Sequence, residues 1–191
     1  MTQRQNEIIN AAIQLIAKNG IQGVTIKNLA NAIKVTEPAI YRHFESKTAI
    51  FVAILENFKN FTSTVSSEML SKTESALDKI FMIYRAYFNK FSETPSLVSV
   101  IFSDEIFKND KNLSTKISSL LNANEEMFCS IIKQGQKAKE IRNDIDNKQI
   151  ALIIMGTMRL LVKKWELSSY SFDLKREGKK LFTTIKTIIK K

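Results

Sequence analysis

A single cysteine, Cys129, in 191 residues excludes an internal disulfide and any zinc site built on a cysteine cluster, and it fits a reducing compartment. Two prolines and five glycines leave few places for the chain to break, so most of it is expected to be ordered helix. Long hydrophobic runs are missing as well. The longest, IALIIMGTMRLLV from Ile150 to Val162, contains Arg159 and falls short of the roughly 18–20 residues that a membrane span needs. Arg4 and Glu7 interrupt any early apolar stretch, so no signal peptide is expected. These absences predict a soluble, cytoplasmic protein that does not act at a membrane. Catalytic chemistry is scarce too: there is no Gly-rich phosphate loop, no Cys–His pair and no metal-ligand spacing. The sole histidine, His43, has no second ligand at helical spacing, so neither an enzyme nor a bound metal or cofactor is expected.

What the chain does have is positive charge. A formal net charge of +10 and a pI near 9.6 point to a polyanionic partner, because Lys and Arg gain affinity by releasing counterions from phosphates. The excess is spread along the chain. Residues 1–50 hold six basic and three acidic groups, a net of +3, and the other +7 lies beyond them. Lys outnumbers Arg 23 to 6, a bias that genome composition also produces, so charge alone does not define the partner.

Apolar periodicity is more informative. Ile8, Ile9, Ala12, Ile13, Leu15 and Ile16 recur at three- and four-residue spacing, which predicts an amphipathic helix ended by Asn19-Gly20. Thr25 is placed to cap a second helix with Ile26, Leu29, Ala30 and Ile33 turned inward. After only Lys34 and Val35, Thr36 offers another capping hydroxyl for a short third helix, EPAIYRHF, with Ile40 and Phe44 inward. Two short helices joined by so tight a turn must cross steeply, as in a helix-turn-helix. Ser46 is expected to cap a long fourth helix running to about Leu70. Further helices are expected over about 74–91, 96–108, 112–139, 147–168 and 173–190, with Asp146 and Gln149 forming a capping box. No strand-like alternation, repeat or low-complexity linker is present.

The stretch TIKNLANAIKVTEPAIYRHFESKTAIF, Thr25 to Phe51, resembles the DNA-binding signature of the TetR/AcrR family of bacterial repressors. The resemblance rests on the capping Thr25, the Leu29-Ala30 pair, the Lys34-Val35-Thr36 turn, the Ile40-Tyr41-x-x-Phe44 helix and Ser46-Lys47, and it covers roughly residues 4 to 55. It implies an all-α fold: a three-helix helix-turn-helix DNA-binding module over 1–45 and a helical effector-binding and dimerisation domain over 46–191. Where the family usually places glycine in the turn, this chain has Lys34, and a residue with a side chain costs about 1–2 kcal/mol in the left-handed region. Either the turn differs here or the strain is accepted because a lysine there can reach phosphate.

The resemblance also implies roles. Thr25 and Thr36 start helices whose free N–H groups suit phosphate, and Tyr41 and Lys47 look like phosphate contacts that set register without reading sequence. Glu37, Pro38, Ala39 and Arg42 lie on the leading end or outward side of the third helix. There Arg42 can engage a guanine, Glu37 can accept from a cytosine amino group and Ala39 can touch a thymine methyl. Lys27 is a phosphate contact or only a solvated charge. His43 is a DNA contact or simply exposed.

Beyond Ser46 the aromatics and methionines are ordinary core or the wall of an apolar pocket, since methionine-rich surfaces adapt to ligands. In the family the corresponding domain often binds a small effector, and Tyr84, Phe88, Phe102, Glu105, Met127 and Arg159 are the candidates here. Asp104-Glu105 and Arg159 are polar intrusions in apolar surroundings. They read as a structural ion pair, as an Arg pairing across a dimer interface, or as a charged anchor for an effector carboxylate.

The last two helices look like an association surface: 147–168 is apolar on several faces, and 173–190 carries a stripe of Leu174, Gly178, Leu181, Phe182, Ile185 and Ile188. Gly156 and Gly178 would allow close helix approach. Two such helices per subunit can form a four-helix dimer interface, as the family does. A twofold dimer sets its reading helices about 34–36 Å apart and favours a palindromic duplex site. The leading expectation is thus a homodimeric repressor released from its operator by a small molecule. The runner-up is a DNA-bound interaction protein of the nucleoid-occlusion type with no small-molecule effector.

Overall fold

The computed structural model describes residues 1–103 and 110–191, and every described element with more than three residues is an α-helix. In chain order these are α1 (Gln3–Asn19), α2 (Ile26–Ala32), α3 (Glu37–Tyr41), α4 (Lys47–Ser71), α5 (Ala76–Glu93), α6 (Ser96–Ile101), α7 (Lys111–Lys137), α8 (Asn147–Leu167) and α9 (Leu174–Ile189). The expected spans hold to within about two residues at nearly every end, because caps and apolar periodicity are local signals. The expected 96–108 helix is described only from Ser96 to Ile101, and Asp104 and Glu105 lie outside the described residues.

Two details of capping differ from expectation. Asp146 starts α8 by accepting from the Lys148 backbone N–H at 2.9 Å, a single cap in place of the reciprocal box with Gln149. A full capping box forms instead at the head of α1, where the Thr2 hydroxyl accepts from the Gln5 N–H and the Gln5 side chain accepts from the Thr2 N–H.

The chain divides into two compact units, residues 1–60 with 96–118 and residues 61–95 with 119–191. In the first, α1 buries Ile8, Ile9, Ala12, Ile13 and Ile16, and α6 packs against it with Leu97, Val98, Val100 and Ile101. The early part of α4 contributes Ile50, Phe51, Ile54 and Leu55 to the apolar interior. Asp110 fixes the start of α7: its carboxylate accepts from the N–H groups of Asn112 and Leu113 and from the Thr48 hydroxyl. Lys116 and Glu56 close an ion pair at 2.6 Å, and that hydrogen bond holds the Glu56 carboxyl below its ordinary pKa.

In the second unit α5 lies on α9 and α9 on α8. Tyr84, Phe88, Phe81 and Phe182 stack as a tilted and edge-on cluster with centroids 5.0–5.6 Å apart. Gly178 is the reason α9 comes so close: a methyl in place of its hydrogen would overlap Cδ2 and Cε2 of Phe88. The stripe on α9 therefore faces inward. Leu174, Gly178, Phe182, Ile185 and Ile189 are buried within the chain, and of the stripe read as an association surface only Ile188 is exposed. Glu140 caps α5, its carboxylate accepting from the Ala76 and Leu77 N–H groups at 2.8 and 3.0 Å. The chain end is tied beside it, with Arg142 N–H donating to the Ile189 carbonyl and Lys191 N–H to that of Glu140.

Candidate nucleic-acid interface

The surface of interest is built from the core outward. Val24, Leu29, Ala30, Ile40 and Phe44 are buried, so α2 and α3 are held against each other by their inner faces. Thr25 caps α2 as expected, its hydroxyl accepting from the Asn28 N–H at 3.0 Å. The Asn28 side chain reaches back to the Gly23 carbonyl at 2.9 Å, which locks the single 3₁₀ turn Ile21–Gly23 onto the start of α2. No sequence pattern had marked Asn28, one polar residue among several on α2, because its partner is chosen by the fold.

The turn between α2 and α3 is a Schellman motif. Val35 N–H donates to the Ala30 carbonyl at 2.9 Å and Lys34 N–H to that of Asn31 at 3.3 Å. This geometry requires a left-handed residue, and Lys34 supplies it with φ of 56°. Of the two alternatives open in the sequence, the turn keeps its usual form and the lysine takes the strained conformation with its side chain exposed.

Helix α3 opens at Thr36, whose backbone carbonyl accepts from the Ala39 N–H while its hydroxyl makes no cap bond. The expected side-chain cap is thus absent, and the hydroxyl stays exposed. Pro38 lies in the first turn, where its missing N–H has no intrahelical partner to lose. Helical structure proper ends at Tyr41, and Arg42, His43 and Phe44 continue as a turn through bonds to the Pro38 and Ile40 carbonyls. The third helix is therefore shorter than the eight residues expected.

The predicted contact residues fall into two groups. Thr25, Lys27, Lys34, Thr36, Glu37, Pro38, Tyr41 and Arg42 are exposed, and Ala39 and His43 are half-buried. Tyr41 keeps 53% of its surface open although a ring of that size would ordinarily be drawn inward. Lys47 stands apart, since its ammonium donates to the Ile21 carbonyl at 3.0 Å and lies 5.5 Å from the Phe51 ring centroid. It pins the 3₁₀ turn to the start of α4.

The effector candidates separate in the same way. Tyr84 and Phe88 border a cleft in the second unit, Met127 is buried core, and Phe102 is half-buried in the first unit. Glu105 is outside the described residues. Arg159, which the sequence placed inside an apolar run, is exposed on α8. It shares that surface with Leu152, Ile153 and Leu160.

A short exposed helix set across a second one by a tight turn, with cationic and aromatic side chains outward, is a helix-turn-helix, the reading head of a DNA-binding regulator. Comparison with known proteins agrees. Residues 8–54 match the family described as bacterial regulatory proteins, tetR family, and residues 54–188 match the C-terminal region of YsiA-like proteins. The chain belongs to the TetR family of DNA-binding transcriptional regulators, which are not enzymes. It is similar to the fatty acid metabolism regulator protein of Bacillus subtilis, with 23% identity over 88% of this chain and 86% of that one. It is also similar to the nucleoid occlusion factor SlmA of Photobacterium profundum, at 21% over 90% of this chain and 88% of the relative. Among solved structures, the fatty acid degradation regulator FadR from Bacillus halodurans superposes with a TM-score of 0.85 at 20% identity, covering 97% and 96% of the two chains. No described helix is long and apolar enough to cross a membrane.

Proposed function

We propose that this chain is a homodimeric, cytoplasmic repressor that grips a palindromic operator through residues 1–45 and is released by a small molecule bound within 46–191. The observation that carries the reading is the exposed outer side of α3 and the turn after it, Glu37, Pro38, Tyr41 and Arg42, standing on the buried Ile40 and Phe44. A rigid inner face and an open outer face are what base reading requires. Lys27, Lys34 and Tyr41 contact phosphate, while Glu37, Ala39 and Arg42 meet base edges. Lys47 acts mainly by holding the Ile21 turn, so its effect on DNA is through position.

For dimerisation, support comes from α8. Leu152, Leu160 and Leu167 are 63%, 61% and 75% exposed, and a methyl on Gly156 would meet nothing within 4 Å. Such a row of large apolar side chains on one helix calls for cover. A second copy supplies it about a twofold axis, with α8 carrying most of the contact, Ile188 of α9 at its margin, and Arg159 pairing across it.

Titration onto palindromic duplexes tests the reading: log affinity should fall steeply with log salt, and Tyr41→Ala should weaken all sites alike. Glu37→Gln should raise general affinity and blur sequence preference, since a carboxylate repels phosphate yet discriminates bases. Binding that ignores salt would overturn the proposal. Sequence-specific DNA binding that no small molecule relieves, with a protein partner recovered on the complex, would favour the nucleoid-occlusion alternative.

A further inference from the structure

The second unit contains a cleft that the DNA-reading role does not use. It lies along the seam of α5 and α9, encloses about 230 Å³, and is bordered by Phe81, Tyr84, Phe88, Gly178 and a polar rim. The rim consists of Arg85 and Asn89 from α5 and Lys175 and Lys179 from α9. Three cations converge there, and among the described residues no carboxylate pairs with any of them. Their neighbours on α9 behave differently, since Arg176 and Lys180 both pair with Glu177. Lys175 also sits in the first turn of α9, where the positive end of the helix dipole repels a cation. Three like charges along one seam, one of them at an unfavourable helix end, are an arrangement that a bound anion would relieve.

We infer that this cleft seats the effector, and that the effector is a small aromatic carboxylate. The inference rests on the effector-released repressor reading above. Size favours a small ligand: a cavity of about 150 Å³ accepts benzene, and drug-sized ligands fill about 300 Å³ or more. A volume near 230 Å³ fits one ring or a fused pair with a short acidic arm. Chemistry selects the ring, because the half-buried Phe81, backed by the buried Tyr84 and Phe88, gives the cleft an aromatic wall for offset contact. Arg85 then takes the carboxylate in a forked, charge-assisted hydrogen bond, Lys179 adds a second donor, and the Asn89 amide orients the acid. The seat is also placed to matter mechanically. Gly178 and Phe88 touch directly below it, so a ring pressed into the seam bears on the packing of α9 against α5.

The test uses the full-length protein with benzoate and indole-3-acetate as probes and neutral indole-3-acetamide as the control. The readout is the NMR shift of the Asn89 side-chain amide. Both acids should give a saturable shift; the amide, and either acid with Arg85→Gln or Lys179→Gln, should bind about tenfold or more weakly, the loss of one charge-assisted bond. Both substitutions are at exposed positions, so folding is retained. No saturable shift by low millimolar acid, equal binding of acid and amide, or indifference to both substitutions would overturn the seat. Operator binding by the ligand-free protein is measured in parallel. Its absence would overturn the repressor reading while leaving the binding result intact, and acid that binds without loosening the operator would overturn the effector role.

Discussion

Replacing Gly178 by alanine probes the tightest contact of the second unit. The added methyl would overlap Cδ2 and Cε2 of Phe88 and stand 3.0 Å from Cγ, where ordinary contact begins at 3.4 Å. Phe88 cannot yield easily: it is 1% exposed and packs edge-on against Tyr84, which packs in turn against Phe182. The strain must therefore move α9, whose Leu174, Phe182 and Ile185 are buried on the same face. Overpacking of this kind costs about 3 kcal/mol at the upper end, and alanine returns roughly 1 kcal/mol through its better helix propensity. The expected net loss is about 2 kcal/mol, which lowers the urea midpoint by about 1 M for a slope of about 2 kcal/mol/M. Trp165 is the only tryptophan, is buried in the same unit, and donates to the Phe172 carbonyl, so its fluorescence follows this unit directly. Adding Phe88→Leu should recover part of the loss, because the smaller side chain vacates the overlapping space. A Gly178→Ala protein as stable as the parent would refute the packing argument.

Lys34→Gly should stabilise the first unit by about 1 kcal/mol by removing left-handed strain, yet weaken operator binding and reduce the salt slope by about one phosphate contact. Gains in both stability and affinity would show that the lysine has no role on DNA. Leu160→Glu should leave a folded monomer in sedimentation, since the residue is 61% exposed within one chain; an intact dimer would redirect the interface away from α8. Alkaline pH should unfold the second unit. Burial pushes the Tyr84 phenol up to about 12 from an ordinary 10 and raises that of Tyr87 further, with the Asn124 hydrogen bond only partly opposing it. Folded pKa values above the unfolded ones mean that this stability is fully present below about pH 10 and is lost as pH rises toward and through 12. Absorbance at 295 nm read against helical circular dichroism checks this, and ionisation of all four tyrosines with the helices intact would contradict it.

Nearly all of the helix boundaries were legible in the sequence, because each depends on residues within a turn or two of one another. Thr25, Ser46, Asp146 and the Asn19-Gly20 stop act locally, and apolar spacing marks which residues share a face. The reading head was legible for the same reason, since its motif lies within one short stretch and Lys34 was already the residue out of place. What periodicity leaves open is which partner covers a given face. The stripe on α9 looks like an association surface, yet Leu174, Gly178, Phe182 and Ile185 are buried within the chain, Leu181 is half-buried and Ile188 exposed, while the exposed apolar row lies on α8. Lys47 looked like a phosphate contact, and the fold gives it the Ile21 carbonyl, 26 residues away. Gly178 was marked as a place of close approach, but only the tertiary structure decided that Phe88 approaches it and that Arg85, Lys175 and Lys179 gather above. The amino-acid sequence determined the helices and the head because those are short-range hydrogen-bonding and periodicity problems. The packing partners, the cleft and the cations gathered along it were decided by contacts between residues far apart in the chain, which no local pattern encodes.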